Sequence, residues 1–235
     1  LATGQGADQR RILIIYPLAL LFPPQAFMMV GMILKRLPLL VLFAVMAGVL
    51  SGCYLPERFD VEMHLNREGY YDIIFDGYLV DIQIYEALRK GKLTPAEERK
   101  KVAVLIRDVK RSPATKEFYY IRKGYFKIHW QRKGDLIKDR MVNFLRRDKP
   151  MLTLQYVRRT GLITMRGSGL TKAIAKQLFD VGLNMRGEVR FITDAKVISN
   201  NATLVKEKKG SRETTYIWKI KSIFGRAPKL EISVR

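Results

Sequence analysis

One thiol, two imidazoles, one serine between glycines and a scatter of carboxylates are the side chains here that could do covalent or acid–base chemistry. The thiol is the best placed. Cys53 is the only cysteine, so no disulfide can form within the chain. It follows the small residues Ser51 and Gly52, which close an apolar run from Leu37 to Val49 behind the basic pair Lys35-Arg36. Basic residues, a core of ~7–15 apolar residues and small residues at the cut make a secretory signal, and a membrane span needs ~20. The stretch therefore reads as a secretory signal, with Cys53 directly past its small residues.

The other candidates are weaker. His64 and His129 have no cysteine, histidine or carboxylate at the spacing of a metal motif, so neither a metal nor a cofactor is expected. Ser168 sits in Gly167-Ser168-Gly169, which is not the Gly-x-Ser-x-Gly elbow of a serine nucleophile. Amides of residues 167–170 at a helix start, with Arg166 and Lys172 nearby, could hold a phosphate or carboxylate. The plainer reading is turn chemistry, with glycines where backbone angles demand them. Asp72, Asp76 and Asp81 fit hairpin-edge and helix-start roles, so no acid–base pair is assigned. The expectation is a protein without catalytic residues.

Leu50-Ser51-Gly52-Cys53 resembles the lipobox of bacterial lipoproteins. The resemblance implies a thiol bearing diacylglycerol, a cut before Cys53 by signal peptidase II, and attachment to a membrane. Tyr54 follows, not Asp, and in a two-membrane host that implies the periplasmic face of the outer membrane. Met28, Met29 and Met32 precede Lys35, and a start at Met32 gives a compact signal. The expected division is 1–31 as upstream extension or long leader, 32–52 as lipoprotein signal, and 53–235 as one lipid-anchored domain.

Before Cys53 lie four basic residues and one acid. Removing them from the chain's 43 and 22 leaves 39 and 21, a net charge of +18. Such charge implies an anionic partner or surface. For an exported domain that means phospholipid or glycolipid head groups, or an envelope protein partner. Nucleic acid would require a cytosolic domain, against which the leader argues. The candidate anion-binding residues are Arg122, Lys123, Lys127, Arg132, Lys133, Arg158, Arg159 and Arg166, interleaved with Tyr119, Tyr120, Tyr125 and Trp130. Arg146, Arg147 and Lys149 continue the run. Tyrosine and tryptophan suit a wet boundary, but on strands the same pattern places alternate aromatics in a core and alternate cations in solvent.

The elements that must position these residues can be read from periodicity. Phe59, Val61, Met63 and Leu65, then Tyr71, Ile73 and Phe75, alternate as an antiparallel hairpin over 58–65 and 70–77. Residues 80–90 turn helical. Thr94-Pro95-Ala96-Glu97 is a capping box for a helix over 95–111. Strands are expected at 116–122 and 125–132, a short helix over 135–147, and strands at 151–157 and 162–166. A helix over 170–181 with Ile174 and Leu178 inward precedes five strands. The expected class is α+β: a mainly antiparallel sheet with two to four helices between strand runs.

The order Gly187-Glu188-Val189, Ser199-Asn200-Asn201-Ala202 and Tyr216-Ile217-Trp218-Lys219-Ile220 resembles the LppM-type lipoprotein domain. That resemblance implies an α+β fold and an envelope or lipid-associated role, without a named substrate. The expected function is a non-enzymatic, membrane-anchored envelope lipoprotein binding an anionic envelope component. The alternative is a structural subunit of an envelope protein complex.

Overall fold

Two facing sheets are built from apolar residues at every second position. A computed structural model describes residues 54–144, 151–207 and 209–234. The expected lipobox, Leu50 to Cys53, lies outside the described residues. Strand β1 (Tyr54–Leu65) and strand β2 (Tyr70–Asp81) form the predicted hairpin, each four residues longer than expected. The Asn66 side chain accepts from the Tyr70 amide at 2.8 Å, and Gly69 takes φ +92° to close the turn. Helix α1 (Ile82–Arg89) and helix α2 (Pro95–Lys110) follow. The capping box is formed: Thr94 Oγ1 accepts from the Glu97 amide, and Glu97 accepts from the Thr94 amide at 2.9 Å.

Strands β3 (Thr115–Arg122) and β4 (Tyr125–Asp135) are joined through Lys123 and Gly124 at φ 50° and 81°. Two left-handed residues make the twist-matched turn of a tight hairpin. The one-turn helix α3 (Leu136–Asp139) leads into β5 (Met141–Phe144), β6 (Leu152–Val157) and β7 (Leu162–Gly167). Helix α4 (Lys172–Asp180) precedes β8 (Arg186–Thr193), β9 (Lys196–Asn200), β10 (Leu204–Glu207), β11 (Thr214–Ile220) and β12 (Lys229–Ser233). The large sheet runs β10-β11-β8-β1-β2-β4-β3 and the small one β5-β6-β7-β12-β9.

The expected α+β class, a mainly antiparallel sheet with helices between strand runs, is thus overturned. Of the described residues 51% are in strands and 21% in helices, and the architecture is a sandwich-like pair of sheets. Alternation shows that a strand has an inner face, but not which sheet it joins. Phe144 of the small sheet stacks on Phe75 of the large one at 4.0 Å and meets Trp130 edge-on at 5.2 Å. Phe126, Ile128, Ile163, Met165 and Ile232 fill the same core and are fully buried. The helix expected over 135–147 is also corrected. Arg140, at φ 67°, turns the chain out after one helical turn, and Val142 and Phe144 then alternate inward. β1 and β8 pair in parallel, a long-range contact with no local signature.

α2 covers the part of the large sheet's inner face near β3, through buried Val102. α4 covers one end of the opposite face. There Leu55, Val80, Ala175, Leu178, Leu183 and Ile223 form a second apolar cluster. Ala175 and Leu178 are the inward residues of α4, whereas Ile174, expected inward, is 45% exposed.

Candidate functional site

A cavity of about 160 Å³ opens between the sheets at the end where β1 begins. Its buried wall includes Phe59, Phe75, Phe144, Leu152 and Val189, which come from both sheets. Its exposed rim is made by two loops, Ser168 to Leu170 and Gly225 to Arg226. Tyr54, the first described residue, lines it as well.

Two glycines explain how the wall is built. Phe59 lies in register with Gly77 on β2 and Gly187 on β8, just past an irregularity in β1 between Pro56 and Phe59. A Cβ on Gly187 would stand 2.8 Å from the Phe59 ring and closer still to its carbonyl oxygen. A Cβ on Gly77 would stand 2.7 Å from Phe59 Cα. Glycine inside a strand marks such a close approach, and that was the one signal in the sequence pointing to this end. The remaining wall residues come from six strands and carry no motif.

The rim is fixed by backbone bonds. The Gly167 amide donates to the Pro228 carbonyl at 2.8 Å, and the Ser168 amide to Met151 at 2.8 Å. Those two amides are therefore spent on backbone carbonyls, in line with turn chemistry at residues 167 and 168. Helix α4 starts later, behind Thr171, whose hydroxyl accepts from the Ile174 amide. Gly167 is needed because a Cβ would meet Pro228 at 2.8 Å. Asn201 ties the second rim loop to both sheets. Its Oδ1 accepts from Trp218 Nε1 of β11 and from the Lys229 amide of β12, each at 2.7 Å. Its Nδ2 donates to the Ala227 carbonyl at 3.0 Å.

The predicted cations do not share one face. Arg122 and Lys123 are exposed at the β3–β4 turn, and Arg158 and Arg159 at the β6–β7 turn. Arg166 is exposed on β7 of the small sheet. Lys127 pairs with Asp76 and lies 5.3 Å from the Tyr78 ring centre. Lys133 pairs with Asp72 at 2.8 Å. Arg132 donates to the Tyr71 hydroxyl at 3.1 Å, and that hydroxyl donates to Asp139 at 2.6 Å. Trp130 is buried in the core, so part of the aromatic interleaving is core packing. Arg146, Arg147 and Lys149 lie outside the described residues.

The outer face of the large sheet carries a second cluster. His129 Nδ1 lies 3.1 Å from Asp76, and His64 Nε2 lies 3.0 Å from Glu62. Burial raises the Asp76 carboxyl, but bonds from Lys127 and His129 outweigh it and hold the group below the usual carboxylate range. Burial is likewise outweighed at Asp72 by Lys133 and Gln131. These carboxylates stay ionised and paired on an open face, the arrangement of a solvated charge ladder. Among the described residues no three His, Cys, Asp or Glu side chains gather as a metal site.

Among the described residues the buried wall from Phe59 to Val189 is apolar and offers no acid, base or nucleophile. An apolar void of about 150 Å³ stays dry and accepts a benzene-sized guest, whereas sites for drug-sized ligands begin near ~300 Å³. The enclosed space therefore suits the end of one acyl chain and not a whole lipid.

No protein-family model matches the chain, and no curated protein does. Among solved structures it is similar to the NMR structure of the folded domain of LppM from Mycobacterium tuberculosis. The likeness has 11% identity and a TM-score of 0.39, and covers 76% of this chain and 91% of that one. No helix among the described residues is long and apolar enough to cross a membrane.

Proposed function

We propose that the protein is a non-enzymatic envelope lipoprotein, tethered by acylated Cys53, whose domain binds an anionic lipid. The end of one acyl chain enters the cavity between the sheets, and cations at the rim and on nearby loops meet the head group. In a two-membrane host the tether places it on the periplasmic face of the outer membrane. The supporting observation is the apolar cavity itself, with Arg226 on its rim and Tyr54, the residue after Cys53, in its lining. Arg122, Lys123 and Arg166, toward the same end, add a diffuse attraction of about 1 kcal/mol for each cation near an anionic surface.

The test is photo-cross-linking of the full chain in vesicles. A phosphatidylglycerol carrying a diazirine at its acyl end should label Phe75, Phe144, Leu152 or Val189. Ala227→Phe, at the rim, should cut that labelling severalfold. Adducts confined to exposed side chains would reject the cavity as the binding site.

The alternative, a structural subunit of an envelope complex, is favoured by one observation. β10 ends the large sheet with all four residues exposed, among them Leu204 and Val205. An unpaired edge of that kind can take a partner strand.

A further inference from the structure

We propose that the end of the domain formed by α4 and the 221–226 loop is a membrane-docking face that seats on an anionic bilayer. Its orientation rests on the tether proposed at Cys53. Four large apolar side chains are exposed there: Leu170 at 39%, Ile174 at 45%, Phe179 at 49% and Phe224 at 52%. They are not scattered. Phe179 and Phe224 rings pack at 5.5 Å, Phe224 adjoins the cavity rim at Gly225, and Leu170 is on that rim too. Ile174 is in the first turn of α4, which begins just after Leu170. An exposed cluster with cations around it is the composition of a surface that enters the head-group boundary.

The charges point the same way. Arg58 of β1 and Arg186 of β8 are in register on neighbouring strands, both exposed, beside a hollow that Phe179 also lines. Like charges directly opposite one another repel. Glu57 lines the same hollow beside Arg58 and is hydrogen-bonded to Tyr125, so one carboxylate faces two guanidinium groups. The acids further along those strands are engaged elsewhere: Arg190 holds Glu188 at 3.0 Å and approaches Asp60 at 4.0 Å. Lys172, Lys221 and Arg226 are exposed on the same end, and none has an ion pair among the described residues. The one acid on α4, Asp180, is taken by Lys176 at 2.8 Å. A lipid phosphate seated between Arg58 and Arg186 would relieve their repulsion.

The chain path supplies the third argument. Leu55, two residues after Cys53, is packed in the same apolar cluster as α4. A tether at Cys53 therefore holds this end against the bilayer. The far end of β1, at Glu68, is carried roughly 40 Å away by the strand's rise. In that pose the cavity mouth opens at the membrane, and an acyl chain reaches it without crossing water.

The test uses the full chain reconstituted in vesicles of phosphatidylcholine, with or without phosphatidylglycerol. Acylation blocks Cys53, so Phe224→Cys and Glu68→Cys each provide one thiol for an environment-sensitive dye. In anionic vesicles the dye at 224 should be quenched by brominated acyl chains and be severalfold less accessible to iodide than the dye at 68. The double variant Arg58→Gln/Arg186→Gln should weaken the seating that shields 224 roughly thirtyfold, the effect of losing two cations near the surface. Equal iodide accessibility at 224 and 68 overturns the proposal. So does shielding at 224 that appears in micelles and rises with protein concentration, which would mean that a second copy covers the face. Intact mass of the unmodified chain reads Cys53 acylation separately, so loss of the tether and loss of the docking face are distinguishable outcomes.

Discussion

Asn201 shows how much one polar side chain can hold when it sits where the chain passes from one sheet to the other. Its carbonyl oxygen takes the Trp218 indole N–H and the Lys229 amide, and its amino group reaches Ala227. Trp218 is 3% exposed, so its N–H has no recourse to water if that partner is lost. Leaving a buried donor unpaired costs about 1–3 kcal/mol. Asn201→Ala should therefore destabilise the fold by roughly 2–4 kcal/mol, read as a lower urea midpoint. Asn201→Asp keeps both acceptor roles but turns a second oxygen toward the Ala227 carbonyl, so it should recover only part of the midpoint. A midpoint for Asn201→Ala within error of the parent would mean that the two sheets are held by core packing alone.

Among the elements, β1 is the one whose details matter to the cavity. Its irregularity between Pro56 and Phe59 aims Phe59 inward, and Gly77 and Gly187 leave room on either side. Gly187→Ala forces a Cβ against the Phe59 ring and backbone, and overpacking of that kind costs about 1–3 kcal/mol. It should lower the thermal midpoint and shift the NMR signals of Phe59, Phe75 and the stacked Phe144 while sparing those of the β6–β7 turn; unchanged spectra would contradict the close approach. The hairpin of β1 and β2, the capping box of α2 and the Lys123-Gly124 turn were legible in the sequence, because each is written in residues that are neighbours along the chain. The sandwich was not, because the alternation of Val142 and Phe144 has the same appearance in either sheet. Met141 and Phe144 also fit a helical spacing until Arg140 turns the chain. The candidate cations were legible as a list, but Lys127 and Lys133 are drawn to Asp76 and Asp72 by strand register that no local window contains. The cavity was the least legible, since its wall is assembled from six strands.

At the scale of the whole molecule, the titrating groups set a stability plateau with two different edges. Glu62, Asp72, Asp76 and Asp194 have carboxyls held below their ordinary values. Bonds from His64 and Arg190 do this at Glu62. At the three aspartates burial acts the other way and is outweighed by partners, Arg67 in the case of Asp194. Their contribution is present above the unfolded values, 3.8 for Asp and 4.5 for Glu, and is lost as pH falls through the lower folded values. Tyr71, Tyr120 and Tyr125 behave in the opposite sense. Burial first, then neighbouring carboxylates, pushes each from 10 to about 12. Stability from these is intact below pH 10 and declines as pH rises toward about 12. The urea midpoint should thus be flat from about pH 5 to pH 9 and fall on both sides. Acid also raises a net charge that is already strongly positive, so general repulsion steepens the acid edge and salt softens it. Two variants separate the site-specific part. Asp76→Asn should make the acid edge shallower and leave the alkaline edge alone, and Tyr120→Phe should do the reverse. If neither variant moves its own edge relative to the plateau, the pH dependence belongs to net charge and not to these pairs.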